Sequence, residues 1–389
     1  MPAGYKTHDP ARWADKHHAG MMFVGVLPWI SIEHDELRRC FDNAGARVAK
    51  FMPQISCARV IVPEQNELTL ATALAETGLI RYVEPIFAQS KWATTTPNDP
   101  QLSSQSHLVT INATSAWDYT QGSANIIIAH CDSGIDLSHP DVSTSIVAPW
   151  NYVNNNSNAQ DVFGHGTETS GVICAATNNG VGIAGIAWNC PIMPLVVDLN
   201  NGTQIDIFLT EAILYAVTNG ASVITMSFSS YGFSQAEQDA CNHAAAAGLI
   251  LFAAGGNDSF NFLPYPALYN NVISVTACNS AGVIDGYNNH GTKCLLAAQG
   301  DSIFTTGLGG GYGNVNGSSF ACPVAAGVAA LVRSVTPYIG PAEVFSIMLA
   351  NTLPVSGGTG QPNLVGMVNA GPAVLAAQHR LQSAFWIKH

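Results

Sequence analysis

Three short segments of this 389-residue chain hold side chains able to do nucleophilic chemistry in concert. Asp132 closes the apolar run NIIIAHCD (125–132) and is followed by Ser133-Gly134-Ile135-Asp136 and His139-Pro140-Asp141. His165 stands between Gly164 and Gly166 at the head of a small-residue helix. Ser319 lies in Asn316-Gly317-Ser318-Ser319-Phe320-Ala321-Cys322-Pro323. A serine hydroxyl attacks a carbonyl only when a base takes its proton, and a histidine base works best when a carboxylate fixes its tautomer. Glycine before Ser319 permits a sharp turn into a helix, whose outward N–H groups can hold an oxyanion. Taken singly each segment is ordinary: a loop carboxylate, one of twelve histidines, a serine capping a buried Ala-rich helix.

The elements that must position these residues follow from hydrophobic periodicity. Residues 22–28, 47–53, 55–62 and 79–87 read as strands, with helices over 33–45 and 67–78. That order, β-α-β-β-α-β, is the ferredoxin-like split unit. Residues 93–106 (ATTTPNDPQLSSQS) have the composition of a linker. Beyond them, strands at 125–132, 191–198, 222–228, 249–256 and 271–278 alternate with helices at 165–177, 204–219, 233–247 and 319–334. Continuous apolar strands alternating with helices predict an α/β fold with a mostly parallel sheet covered on both faces. Its active site belongs at the carboxyl ends of the strands. The predicted organisation is an N-terminal extension (1–21), a small α+β domain (22–92), a linker running into the second domain (93–106) and a large α/β domain (107–389).

Composition narrows the function. Hydrophobic residues make up 47% and charged residues only 10%, with a formal net charge of −12. No Lys/Arg cluster exists to bind nucleic acid. The apolar run Phe320–Val332 is 13 residues long, short of the ~18 needed to span a bilayer. Residues 20–32 (AGMMFVGVLPWIS) lack the flanks and cleavage site of a signal peptide. Nine cysteines, several in apolar runs and none in a Cys-x-x-Cys pair, favour buried thiols in a reducing, cytoplasmic setting over zinc ligation.

In the order Asp132, His165, Ser319, with gaps of 33 and 154 residues, the chain resembles the subtilisin family of serine peptidases over roughly residues 95–375. The opening PNDPQLSSQSHLVTINATSAWDYTQGS (97–123) resembles its thermitase-like branch. The resemblance implies a three-layer subtilisin-like catalytic domain and a triad of Asp132, His165 and Ser319. It also implies that Asn257, in Ala253-Ala254-Gly255-Gly256-Asn257, shares the oxyanion with the Ser319 backbone N–H. Choosing Ser319 over Ser318 rests on register with Pro323. The unit ending Tyr82-Val83-Glu84-Pro85 is similar to the family's inhibitory propeptide, so the partners implied are a polypeptide substrate and the chain's own N-terminal domain.

Subsites follow from the same resemblance. Ser227, Phe228 and Ser229 correspond to the pocket strand, Gly255 and Gly256 count among the substrate-binding residues, and residues 199–203, with Asn200 and Gly202, resemble the edge that pairs with extended substrate. Ser229 replaces a usual glycine, which predicts small or medium P1 residues. Glu168 replaces a usual histidine and is expected to stand in solvent, the alternative being that it raises the His165 pKa from the same helix. A structural Ca²⁺ is implied at Asp99, Asp141, Thr177, Asn179, Val181 and Ile183, oxygen donors of the kind calcium takes. Secretion is the family's habit, against the cysteine argument. A peptide ligase or macrocyclase with the same triad and a catalytically silent peptide-binding module are the alternatives. Relatives of the first kind carry a lid insertion for which the 33-residue gap leaves no room.

Overall fold

Alternating apolar positions build the smaller of two compact units, residues 1–92; the larger spans 93–389. The computed structural model describes residues 17–63, 66–87, 95–142, 145–203, 206–357 and 361–387. The segment 1–16 of the expected extension and the 88–94 junction lie outside them. The first unit runs β1 (His17–Val26), α1 (Asp35–Asn43), β2 (Arg47–Met52), β3 (Cys57–Ile61), α2 (Glu67–Glu76) and β4 (Ile80–Phe87). β1 therefore begins inside the segment expected to precede the domain. The sheet order is β2-β3-β1-β4, with antiparallel pairing throughout. Met22, Val24 and Val26 face one side of β1 at period two and pack with Leu37, Phe41, Leu70 and Leu74 of the helices.

In the second unit α3 (Ser106–Thr110) and α4 (Ala113–Trp117) precede β5 (Ile127–Asp132), β6 (Trp150–Asn151), α5 (His165–Cys174) and β7 (Ile192–Val196). Then come α6 (Asp206–Thr218), β8 (Ala221–Met226), α7 (Gln235–Ala246), β9 (Ile250–Ala254), β10 (Val272–Cys278) and β11 (Cys294–Gln299). A hairpin of β12 (Ile303–Gly307) and β13 (Gly311–Val315) leads to α8 (Ser318–Val335), α9 (Pro341–Ala350), β14 (Gly366–Met367) and α10 (Ala370–Ile387). The main sheet has eight strands in the order β14-β11-β10-β9-β8-β5-β7-β6, and its pairs are parallel.

One face of the sheet buries α8 with α5 and α10; the other buries α6 and α7. α8 is long and apolar enough to cross a membrane, but most of it is buried inside this core. Its small residues allow that depth: a Cβ at Gly327 would meet Ile186 at 2.9 Å. Residues 95–106, linker-like in composition, are tied to the loop at 178–184. Gln101 N–H donates to Gly182 O (2.8 Å), and the Gln105 amide bonds Ala184 at both ends. The cysteines are free thiols, buried except for half-buried Cys40.

Candidate active site

Neighbouring strands β9, β8 and β5 deliver Asn257, Ser227 and Asp132 to one edge of the sheet, at the carboxyl ends where the chain order reverses. Asp132 is the last residue of β5 and is 3% exposed. Its Oδ1 accepts from Ser133 N–H (2.8 Å) and lies 2.8 Å from His165 Nδ1; its Oδ2 accepts from Thr169 Oγ1 (3.1 Å).

His165 opens α5, which approaches β5 closely because residue 166 is glycine: a Cβ there would overlap the Gly134 carbonyl. Buried Asp161 fastens that helix start. Its Oδ1 accepts from Ser133 Oγ and from the N–H groups of Phe163 and Gly164, and its Oδ2 from Thr167 N–H and Oγ1. Behind Asp132, buried His130 shares a 2.8 Å hydrogen bond with Thr169.

The electrostatics of the pair run in opposite directions. Burial alone would raise Asp132, but His165, through charge and hydrogen bond, with His130 and Ser133 N–H, lowers it. Burial alone would lower His165, but the Asp132 carboxylate, then Glu168 and Asp161, raise it well above its ordinary value. Glu168 does not stand free in solvent as its sequence position implied. It is half-buried one helical turn from His165, and burial raises its own carboxyl.

Ser319 sits in the first turn of α8, after Gly317 at φ 138°, a conformation closed to ordinary residues. Ser318, the buried neighbour, is a strut: its Oγ accepts from Gly256 N–H (3.0 Å) and its N–H donates to Asn257 Oδ1 (2.8 Å). That leaves Asn257 Nδ2 and the Ser319 N–H without acceptors among the described residues, and no hydrogen bond joins Ser319 to His165. The His165 Nε2 is likewise unbonded. The Phe320 ring lies 5.7 Å from the imidazole.

His165 and Phe163 border two cavities. One, of about 280 Å³, is lined by Asp132, Ser133, Phe163, His165, Asp198, Gly202 and Ser227 to Ser229. The other, of about 550 Å³, is lined by Phe163, His165, Glu168, Asn314 to Asn316 and Phe320. Of the expected subsite residues, Gly202, Ser227, Phe228 and Ser229 meet in the first cavity, whereas Asn200, Gly255 and Gly256 do not line it. Gly256 instead backs onto Asn289 and Pro264. Asp198, missed in the sequence, holds the 199–203 edge through the N–H groups of Asn201 and Gly202.

Among the described residues no three His, Cys, Asp or Glu side chains gather as metal ligands. Buried Asp99 and Asp141 nonetheless meet the 177–183 loop. Asp99 accepts from the N–H groups of Asn178 and Asn179. Asp141 accepts from Ile183 N–H (2.7 Å) and Asn179 Nδ2 (3.0 Å), and burial, aided by Asp99, raises its carboxyl. The Thr177, Val181 and Ile183 carbonyls accept no hydrogen bond among the described residues. Two desolvated carboxylates beside free carbonyls are a donor set that fits calcium, although Asn179 turns its Oδ1 to Val181 N–H.

The subtilase family profile matches residues 123–368. The chain is 35% identical to thermitase from Thermoactinomyces vulgaris over 280 residues, which cover 72% of this chain and 99% of that protein. It is 32% identical to a thermophilic serine proteinase from Bacillus sp. (strain AK1) over 307 residues, 78% of this chain and 75% of that one. A solved protease structure from Pseudoalteromonas arctica PAMC 21717 matches with a TM-score of 0.68 at 28% identity, covering 73% of this chain and all of that one. The motif order, the parallel sheet and these relatives agree: the chain belongs to the subtilase family, on its thermitase-like side, and is a serine endopeptidase.

Proposed function

We propose that the chain hydrolyses polypeptides through Ser319 as nucleophile, His165 as base and Asp132 as the carboxylate that orients it. The observation that carries this reading is the 2.8 Å contact between His165 Nδ1 and Asp132 Oδ1, which leaves Nε2 unbonded on a ring that borders both cavities. Nε2 takes the Ser319 proton as Oγ attacks the substrate carbonyl, and a tetrahedral oxyanion forms. The unpaired Asn257 Nδ2 and Ser319 N–H then supply two donors for that charge. Imidazolium protonates the departing amine, and water repeats the sequence on the acyl-enzyme. The Ser319–His165 hydrogen bond tightens when substrate binds, since such contacts are often long in the free enzyme. A serine-directed fluorophosphonate should label the wild type at residue 319; an adduct at Ser318, or none, would count against the assignment.

Asn257→Ala should lower kcat by about 10²–10³ with KM little changed, because the donor acts on charge present only in the transition state. A loss under fivefold would remove Asn257 from the oxyanion site.

The first unit serves as an intramolecular inhibitor removed by self-processing, a reading supported by its β-α-β-β-α-β order. Intact mass followed over several hours tests it: active enzyme should shed a segment ending near residues 92–96. Asp99, Asp141 and the Thr177, Val181 and Ile183 carbonyls, with Asn179 after its amide turns, hold a structural Ca²⁺. Calcium at ~100-fold above its Kd should raise Tm by about 3–5 °C, and Asp141→Asn should erase the shift. An equal shift in the variant would place the ion elsewhere.

A further inference from the structure

We propose that Glu168 selects substrates whose leaving peptide begins with arginine or lysine, the P1′ position. The proposal rests on the serine-endopeptidase reading. In that reading the acyl side of the substrate runs along Gly202 and Ser227–Ser229, so the second cavity, across His165, receives the leaving side. Phe163 and Phe320 line the second cavity beside the C-terminal end of β13, and Glu168 supplies the one carboxylate of its lining.

Glu168 forms no ion pair within 4 Å and no side-chain hydrogen bond among the described residues. Burial raises its carboxyl, and of the three neighbouring charges it feels, Asp161 and Asp132 share its sign. A half-desolvated carboxylate gains most from a cation that arrives with its own apolar stem. An arginine side chain matches both needs: its methylenes pack on the phenylalanines that line the cavity, its guanidinium plane stacks on an aromatic face, and its fork meets the carboxylate. The plainer account is that Glu168 only stabilises the first turn of α5, where acidic residues favour the helix dipole. That account predicts an effect on stability and none on the choice of substrate.

The test compares internally quenched peptides identical except at P1′, which is Arg, Lys, norleucine or Glu. It is run on wild type, Glu168→Gln and Glu168→Lys, with active sites counted by fluorophosphonate. Glu168 also influences His165, but that influence scales every substrate alike and cancels in a ratio of kcat/KM values. Wild type should prefer Arg to norleucine about tenfold, an ordinary gain for one partly desolvated charge pair. Glu168→Gln should bring the ratio within about twofold of unity, and Glu168→Lys should turn the preference toward Glu. In wild type alone, raising salt from 0.05 to 1 M should shrink the Arg preference and leave norleucine unchanged; this keeps the test independent of whether the variants fold. A flat P1′ series in labelled, active wild type overturns the Glu168 proposal alone. A ratio that survives Glu168→Gln does the same. Failure to label and to cleave any peptide overturns the endopeptidase reading, and this proposal with it.

Discussion

Ser319→Ala is expected to lower kcat by about 10⁶, the scale on which removing the nucleophile of a Ser-His-Asp site acts in the subtilisin series. KM should hardly move, because the cavities on either side of His165 stay intact. Some catalysis above the water reaction should persist if, as proposed, Asn257 Nδ2 and the residue-319 N–H still receive the oxyanion. The neighbouring serine makes the necessary contrast. Ser318 Oγ is fully buried and accepts the Gly256 N–H, while its own N–H fixes the Asn257 amide. Ser318→Ala leaves Gly256 N–H unsatisfied at a cost of about 1–3 kcal/mol, so it should lower Tm and loosen Asn257. It should nevertheless retain fluorophosphonate labelling and most of the rate. Steady-state kinetics on site-titrated enzyme distinguish the two. If Ser318→Ala is the dead variant and Ser319→Ala is active, the register drawn from Pro323 is off by one.

What the sequence revealed and what it hid divide along a physical line. Strands β5, β7, β8, β9 and β10 were legible because burial on both faces writes a continuous apolar run. Helices α5 to α8 were legible from period and small-residue content. β11 escaped because CLLAAQ is short and follows a polar turn, and β14 is only two residues long. α9 and α10 lie beyond the last chemical motif of the chain. Within the site, Asp132, His165 and Ser319 stood out through flanking glycines and order. The groups that support them did not: His130, Asp161 and Thr169 are single polar letters whose partners lie on other elements. His130 sits in an apolar strand, a local irregularity that calls for a buried partner, and Thr169 is that partner. Asp161 gave no such hint, because only the folded backbone brings five donors to it. Glu168 stands out in the sequence as an acidic residue on the helix of the histidine, but the cavity it lines with Phe163 and Phe320 exists only in the fold.

Asp132→Asn should lower kcat by about 10⁴ while leaving the site's shape intact. The hydrogen bonds around residue 132 decide how the amide sits. Ser133 N–H needs an acceptor at the Oδ1 position, 2.8 Å away, so the amide oxygen stays there and still meets His165 Nδ1. The Nδ2 group then falls where Thr169 Oγ1 now donates, and Thr169 becomes the acceptor. The imidazole is held in place, but the imidazolium formed as Ser319 gives up its proton loses its counter-charge. The pH profile carries the same argument with a definite sign. On the proposed reading His165 must be neutral to act as base, and Asp132 raises its proton affinity. The wild-type acid limb therefore lies above the ordinary imidazole value of about 6.5, and kcat/KM climbs as pH rises through it. Removing the carboxylate lowers the His165 pKa, so the acid limb of Asp132→Asn should move to lower pH even as its plateau falls. Glu168 and Asp161 remain, which limits the displacement. A plateau within tenfold of wild type would deny Asp132 its place in the mechanism. A fallen plateau with an unmoved acid limb would mean that the titrating base is a group other than His165.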